Sequence, residues 1–290
     1  MAAGTGHNGH MEWVRYRRLP DRQVEAMHAH FVRHTFDAHT HDTYSFGLTD
    51  FGAQAFGCRG ESRTSSAGLV MAFNPDEPHD GRAATETGFT YRIVHIGPEL
   101  VVDLLSDRAG RVTGPPLFAQ PVLRDPVLAA ALSRLHASLD ARASTLARDE
   151  ALAATVAAMV QRGASAAPME SSAGRLTHGG QARSAAKARA VLDQTYLEDR
   201  GADELAAAAG CSRFALYRAF RSRYGLAPSE YQRLLRLRAA RRMIAAGHSV
   251  AESASRAGFA DQAHLTRWFR RCYGITPGIY QRAGAAAGVE

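Results

Sequence analysis

The most chemically loaded spacing in the chain is His39-Thr40-His41. On an extended strand, residues two apart point to the same face, so the two imidazoles stand side by side, and His79 and His95 are candidates to join them inside a barrel. Clustered imidazoles either hold a divalent metal or hydrogen-bond a small polar ligand. Metal sites built on such a pair add a carboxylate four or five residues later, and here Ser45 and Phe46 occupy those places. The favoured reading is therefore an effector pocket at His39, His41, Tyr44, His79, Arg92 and His95, with no cofactor; a divalent metal at His39, His41 and His79 is the alternative. An inward Arg92 would favour a carboxylate or phosphate on the effector. No Ser-His-Asp set, Gly-rich phosphate loop or Cys-His pair is legible elsewhere.

A second pattern is written twice near the C-terminal end. Leu205-Ala206-Ala207-Ala208-Ala209-Gly210-Cys211-Ser212 is followed by Leu216, Arg218, Phe220, Arg221, Tyr224, Gly225, Pro228 and Tyr231. Ala254-Ser255-Arg256-Ala257-Gly258-Phe259 is followed by Leu265, Arg267, Phe269, Arg270, Tyr273, Gly274, Pro277 and Tyr280. The offset is 48 residues at Gly210 and Gly258 and 49 from Leu216 and Leu265 onward, so the second turn holds one extra residue. Alanines let a second helix cross closely, and a glycine ends the first helix because the tight turn needs a left-handed backbone. Leu216 and Phe220, four apart, share an inward face, while Arg213, Tyr217 and Arg221 fall outside it. This is the logic of a helix-turn-helix unit, with an inner face that anchors the helix and an outer face that enters a major groove.

Other elements must position these residues. From about Trp13 to Gly97, short runs rich in Phe, Tyr, Val and Ile (44–49, 69–74, 89–96) alternate with Gly and Pro, which predicts a small antiparallel barrel or sandwich. A turn or two of helix is expected over 99–105. Asp125-Pro126 reads as a helix start, and apolar spacing predicts helices from there and over about 145–161. These could pack on the barrel or on a second copy. Residues 163–181 are small and polar and read as a linker. Everything from Arg183 to Arg282 reads as helical, and Pro228 to Ala246 forms one long connector. Its roughly 17 residues span about 25 Å, which with the units' own widths sets the two reading helices about 34 Å apart, one DNA turn.

Charge is distributed unevenly. Residues 1–182 carry 17 arginines against 19 acids, and residues 183–290 carry 18 cations against 9 acids. The cationic excess marks the C-terminal part as the binder of a polyanion. Cys58, Cys211 and Cys272 are far apart and odd in number, which fits a reducing cytoplasm. No run of eighteen apolar residues suggests a membrane span, and Met1 to His10 reads as a loose tail, not a signal peptide.

Residues 183–282 resemble the DNA-binding domain of the AraC/XylS family. The resemblance rests on Gly258-Phe259, Leu265-Thr266-Arg267-Trp268-Phe269 and Gly274-Ile275-Thr276-Pro277-Gly278-Ile279-Tyr280, together with the first repeat and the linking helix. Departures are Ser253, where Ile or Val is usual, and Phe-Arg in place of Phe-Lys at Phe220-Arg221 and Phe269-Arg270. The resemblance implies that Arg213, Phe214, Tyr217 and Arg218 read one groove and Gln262, Ala263, His264 and Arg267 the next. Arginine suits guanine, glutamine adenine, and alanine or an aromatic edge the thymine methyl. Arg221, Arg270 and Arg271 are assigned to phosphate.

Residues 31–96 resemble the cupin-like sensory domain found in one branch of that family, through Arg33-His34-Thr35-Phe36, His39 to Gly47, Gly68 to Pro75, Glu77 to Gly81 and Tyr91 to Ile96. The expected fold is α+β with two domains: a cupin-like antiparallel β-barrel with following helices, then an all-α domain of two helix-turn-helix units joined by a long helix. The expected boundaries are a tail over 1–10, a sensory domain over 11–120, a helical dimerisation segment over 121–162, a linker over 163–182, the DNA-binding domain over 183–283 and a tail over 284–290. The expected function is a ligand-responsive, sequence-specific transcription regulator and not an enzyme. Its expected partners are double-stranded operator DNA, a small-molecule effector, RNA polymerase and a second copy of the chain, with no membrane. The rival readings are a cupin-type metal-dependent enzyme with an appended DNA-binding domain, and a nucleoid binder without a sensor.

Overall fold

The computed structural model describes residues 11–19, 23–140, 143–165 and 179–285. The tail over 1–10, most of the expected linker (166–178) and the last residues, 286–290, lie outside them.

The N-terminal domain is built on antiparallel strands β1 (Trp13–Leu19), β2 (Val24–Phe31), β3 (Thr35–His39), β4 (Tyr44–Cys58), β5 (Glu61–Ser66), β6 (Val70–Phe73), β7 (His79–Ala83), β8 (Phe89–Ile96) and β9 (Val122–Leu123). The main path is β1-β2-β8-β4-β6-β9, with β3 on β7 and both β5 and β7 on the far half of β4. The long β4 can serve both halves because its register with β8 shifts between Thr49 and Phe51. Gly52 follows in a left-handed conformation (φ +69°), where any side chain would run into the Gly88 backbone. Met27 (β2), Phe36 (β3), Phe56 (β4), Met71 (β6), His79 (β7) and Ile93 (β8) face one common cavity, so the sheet closes around an interior.

Strand alternation assigns the two faces. Tyr91, Ile93 and His95 point to the cavity, whereas Tyr44, Phe46, Val94 and Ile96 join a separate apolar cluster on the outer face. That cluster is covered by α2 (Pro126–Asp140) and α3 (Thr145–Gly163), with Val101 of α1 (Pro98–Ala109). The two helices of the expected dimerisation segment therefore pack first on their own barrel. Asp125 caps α2 as its sequence position predicts, accepting hydrogen bonds from the Val127 and Leu128 amides at 2.9 and 3.1 Å.

The C-terminal half is helical throughout its described length. It comprises α4 (Gly179–Thr195), α5 (Ala202–Ala209), α6 (Arg213–Tyr224), α7 (Pro228–Ala245), α8 (Val250–Arg256), α9 (Gln262–Tyr273) and α10 (Pro277–Ala285). The expected linker is shorter than 163–182, since Gly163 still belongs to α3 and 179–182 already belong to α4. The C-terminal tail starts later as well, because α10 runs to Ala285.

The two repeat units bury their hydrophobic faces differently. The first has a core of its own: Ala188 and Leu192 of α4, Leu205 and Ala206 of α5, Leu216 and Phe220 of α6, and Tyr231 of α7. In the second, Leu237, Ile244, Ala254, Phe259, Leu265, Phe269 and Tyr280 belong to the same continuous cluster as Phe31, Phe36, Phe56 and Tyr91 of the barrel. Gly274, which ends α9, lies directly on Phe31 and Phe36.

Leu216 and Phe269 are fully buried, so truncating either to alanine is expected to cost about 2–5 kcal/mol in denaturant unfolding. Ser253, the departure noted above, is fully buried and its hydroxyl finds no hydrogen-bond partner among the described residues. Replacing it with alanine removes an unmet desolvation cost and should raise stability by about 1 kcal/mol, seen as a higher unfolding midpoint. A lower midpoint would show that the hydroxyl is satisfied.

Candidate effector site and nucleic-acid interface

The cavity inside the barrel is small, about 50 Å³. Its wall is apolar, made by Met27, Phe56, Met71, Phe73 and Ile93, and its rim is polar. Four buried histidines sit together on the rim. The ring centroids of His39 and His79 are 4.5 Å apart, as are those of His41 and His95, and His39 Nε2 is 3.2 Å from His41 Nε2. Burial pushes all four imidazoles toward the neutral form, His95 down to about 4. One ring nitrogen of each of His39, His41 and His79 lies within 4.8 Å of the others, so these three could hold a metal ion.

Two residues expected in the pocket are not part of it. Tyr44 sits one position out of phase with His95's partner Ser45, on the outer face, where its hydroxyl donates to the Pro116 carbonyl at 2.6 Å. Arg92 likewise points outward and pairs with Asp50 at 2.9 Å. The one-residue phase error is enough, because alternate strand residues face opposite sides of a sheet.

The closure of this cavity comes from the other domain. Arg241 of α7 and Cys272 and Tyr273 of α9 complete its lining. Arg241 forms an ion pair with Glu25, which also accepts hydrogen bonds from Tyr16 and, at 3.0 Å, from Tyr280. Burial alone would push the Glu25 carboxyl up and the Arg241 guanidinium down. Burial is the largest single influence on each, but the partner's charge together with the neighbouring tyrosines outweighs it, so the carboxyl lies below and the guanidinium above its ordinary value. More exposed links run in parallel: Arg238 to Asp76 at 2.6 Å and to Thr40 at 2.7 Å, Arg189 to Asp76 at 3.3 Å, and Arg271 to Asp37 at 3.8 Å. None of Glu25, Tyr16, Arg241 or Tyr273 was singled out as a site residue in the sequence. Arg241 stands in an arginine-rich helix where nothing marks one guanidinium as buried, and its carboxylate is 216 residues away.

The DNA-reading candidates are exposed where the repeat logic requires it. Ser212 caps α6 and Asp261 caps α9, each accepting a backbone N–H three residues on. Arg213, Phe214, Tyr217 and Arg218 project from α6, with Phe214 71% and Tyr217 48% exposed. Two apolar rings left in solvent on a helix whose opposite face is fully buried mark an interaction surface. On α9, Gln262, Ala263 and Arg267 are exposed. His264 is half-buried and accepts a hydrogen bond from Trp268 Nε1 at 3.0 Å, which makes it a brace within the helix. Arg221, Arg270 and Arg271 are exposed. Arg267, Arg270 and Arg271 also border a shallow depression shared with Glu12, Arg33 and His34 of the barrel.

A closed barrel whose lid is a helix-turn-helix unit defines a sensor domain joined to a DNA-binding domain. Comparison with known proteins agrees. A family model for the AraC-like ligand binding domain matches residues 23–156, and one for a helix-turn-helix domain matches residues 205–283. The chain belongs to the AraC-type family of transcriptional regulators. It is 24% identical over 216 residues to the HTH-type transcriptional regulator YbfI of Bacillus subtilis (strain 168), a match that takes in 72% of this chain and 73% of that one. It is 35% identical over 83 residues, 28% of each chain, to the HTH-type transcriptional regulator MtrA of Neisseria gonorrhoeae. In fold it is similar to unsaturated fatty acid-bound ToxT from Vibrio cholerae strain SCE256, at 12% identity and a TM-score of 0.51 over 96% of this chain and 98% of that one. No helix among the described residues is long and apolar enough to cross a membrane.

Breaking the Glu25–Arg241 pair from one side leaves a buried charge without its partner, so Arg241→Ala should destabilise the chain by about 3–5 kcal/mol. Exchanging both residues for apolar ones should cost much less, and a double-mutant cycle measures the difference. The depressed Glu25 carboxyl contributes stability that is present above the ordinary glutamate range and lost as pH falls through its folded value. The contribution of this pair should therefore survive at pH 5 and fade only in stronger acid.

Proposed function

We propose that this regulator works as a cytoplasmic homodimer in which occupancy of the barrel by a small-molecule effector sets the seating of the second helix-turn-helix unit, and with it the fit of both units to operator DNA. The observation that carries this reading is the shared lining of one cavity: His39, His41, His79 and His95 from the barrel, Arg241, Cys272 and Tyr273 from the DNA-binding domain. A ligand there touches both domains at once, and differential contact is what lets a ligand shift an equilibrium. The chain acts on DNA and RNA polymerase and does not catalyse a reaction. The free state of Cys58, Cys211 and Cys272 accords with a reducing compartment.

Arg213, Phe214, Tyr217 and Arg218 enter one major-groove segment and Gln262, Ala263 and Arg267 the next, with His264 beside them, while Arg221, Arg270 and Arg271 lie on phosphate. The connector α7, 18 residues and so about 27 Å long, supports a separation near one DNA turn. The exposed Val127 and Leu146 make the outer face of α2 and α3 the candidate dimer contact.

Footprinting on the promoters beside its own gene should show protection of about two helical turns per chain. Arg267→Ala should weaken binding by about 1–3 kcal/mol and relax preference at one base position. Arg271→Ala should weaken binding alike on all sequences and flatten the salt dependence. Absence of protection at low salt, with and without extracts containing effectors, would overturn the reading.

A further inference from the structure

We propose that His39, His41 and His79, with His95 beside them, form a binding site for a divalent first-row transition ion of the zinc type at the seam between the barrel and the second helix-turn-helix unit. The tautomers carry the argument. His39 Nδ1 lies 2.7 Å from the Asp37 carbonyl and His79 Nδ1 lies 2.8 Å from the Glu77 carbonyl. A carbonyl only accepts, so both Nδ1 atoms donate and both Nε2 atoms present lone pairs. Donation of the remote N–H to a backbone carbonyl is the outer-shell arrangement that orients histidine ligands on a metal. Phe73 stacks on the His79 ring at 4.1 Å and fixes its plane. His39 Nε2 then faces His41 Nε2 at 3.2 Å, close to the separation of about 3.3 Å between two nitrogens on one tetrahedral zinc ion.

A second observation points to a ligand at this place. The Tyr273 hydroxyl lines the same cavity, is buried, and has no hydrogen-bond partner among the described residues. A water or hydroxide on the open position of a three-histidine ion would supply one. Charge does not forbid the ion. Arg241 is already neutralised by Glu25, and Asp42 and Asp80 add negative charge close to the rim. Three imidazoles without thiolate or carboxylate suit zinc, cobalt, nickel or copper over calcium or magnesium. Metal ligation draws the three nitrogens together from their present spread of up to 4.8 Å, and His41 lies 6.0 Å from the Tyr273 ring of α9. An ion bound here tightens the rim directly beneath the second reading helix. That consequence for DNA rests on the regulator reading; the site itself does not.

The test uses the untagged full-length chain, stripped of metal and titrated with Co²⁺ and then with Zn²⁺. About one equivalent of Co²⁺ should bind with the visible d–d bands of a tetrahedral or five-coordinate ion, and Zn²⁺ should displace it. His39→Gln and His79→Gln should each weaken Zn²⁺ binding by about 100-fold or more with far-UV dichroism unchanged, while His34→Gln, a neighbouring histidine outside the cluster, should not. Less than about a tenth of an equivalent of Co²⁺ or Zn²⁺ on the wild-type chain overturns the site whatever the variants do, and so does binding that survives the His39→Gln/His79→Gln pair. Operator footprints run in parallel separate the two ideas. Protection without metal binding sinks the metal site and keeps the regulator, whereas metal binding without protection at any promoter keeps the site and sinks the regulator.

Discussion

The buried contact between Glu25 and Arg241 is the constraint around which the molecule is arranged. A carboxylate and a guanidinium removed from water are tolerable only as a pair with their remaining hydrogen-bonding capacity met. Tyr16 and Tyr280 meet it on the carboxylate side, and Arg18 stacks over Tyr280, 4.2 Å from the ring centroid. Residues from the first two strands and the last helices are thereby fixed to one another. The pair spans the domain seam, so the barrel cannot rearrange its rim without altering what holds α7 and α10.

The duplicated unit at the C-terminal end is consequently a duplication in sequence but not in situation. The repeat places a tyrosine after Gly-x-x-Pro in both copies. In the first, the Tyr231 hydroxyl donates to Asp193 of α4, inside its own unit, at 2.6 Å. In the second, the Tyr280 hydroxyl reaches Glu25 of the barrel. The first unit has a core of its own and meets the barrel through the Arg189–Asp76 ion pair, the seating of Gly225 on Pro78 and the buried Leu226, whereas the second completes its core with barrel residues. The barrel is therefore joined to the second unit by packing and to the first through α7 and a small contact at Asp76 and Pro78.

Much of this was legible in advance because the informative patterns are local. The helix start at Asp125, the glycines that end α5, α6 and α9, and the Leu–Phe spacing of α6 and α9 act over one or two turns of chain and read directly from residue type. The structure brings His39, His41, His79 and His95 together, but β3 ends at His39, so His41 reaches the rim from beyond the strand and His79 and His95 from two others, by tertiary folding and not by strand alternation. Tyr44 and Arg92 fall on the opposite face, because alternation fixes a residue's face only once the phase of its strand is known. What the sequence could not show was the seam. Nothing near Arg241 distinguishes it from Arg238 or Arg242, and nothing near Glu25 announces a partner more than two hundred residues on. The departure at Ser253 was visible in the sequence, but its orphaned hydroxyl was not.

The seating of Gly274 on Phe31 and Phe36 has a practical corollary. Severing the chain within 166–178 yields a front piece with the Phe31 and Phe36 rings bare and a back piece with Tyr273, Ile275 and Tyr280 uncovered. Greasy facets of that kind self-associate, so the halves are poor candidates for separate crystallisation. A graft that exchanges sensors between relatives has to carry α9 and α10 along with the barrel they complete.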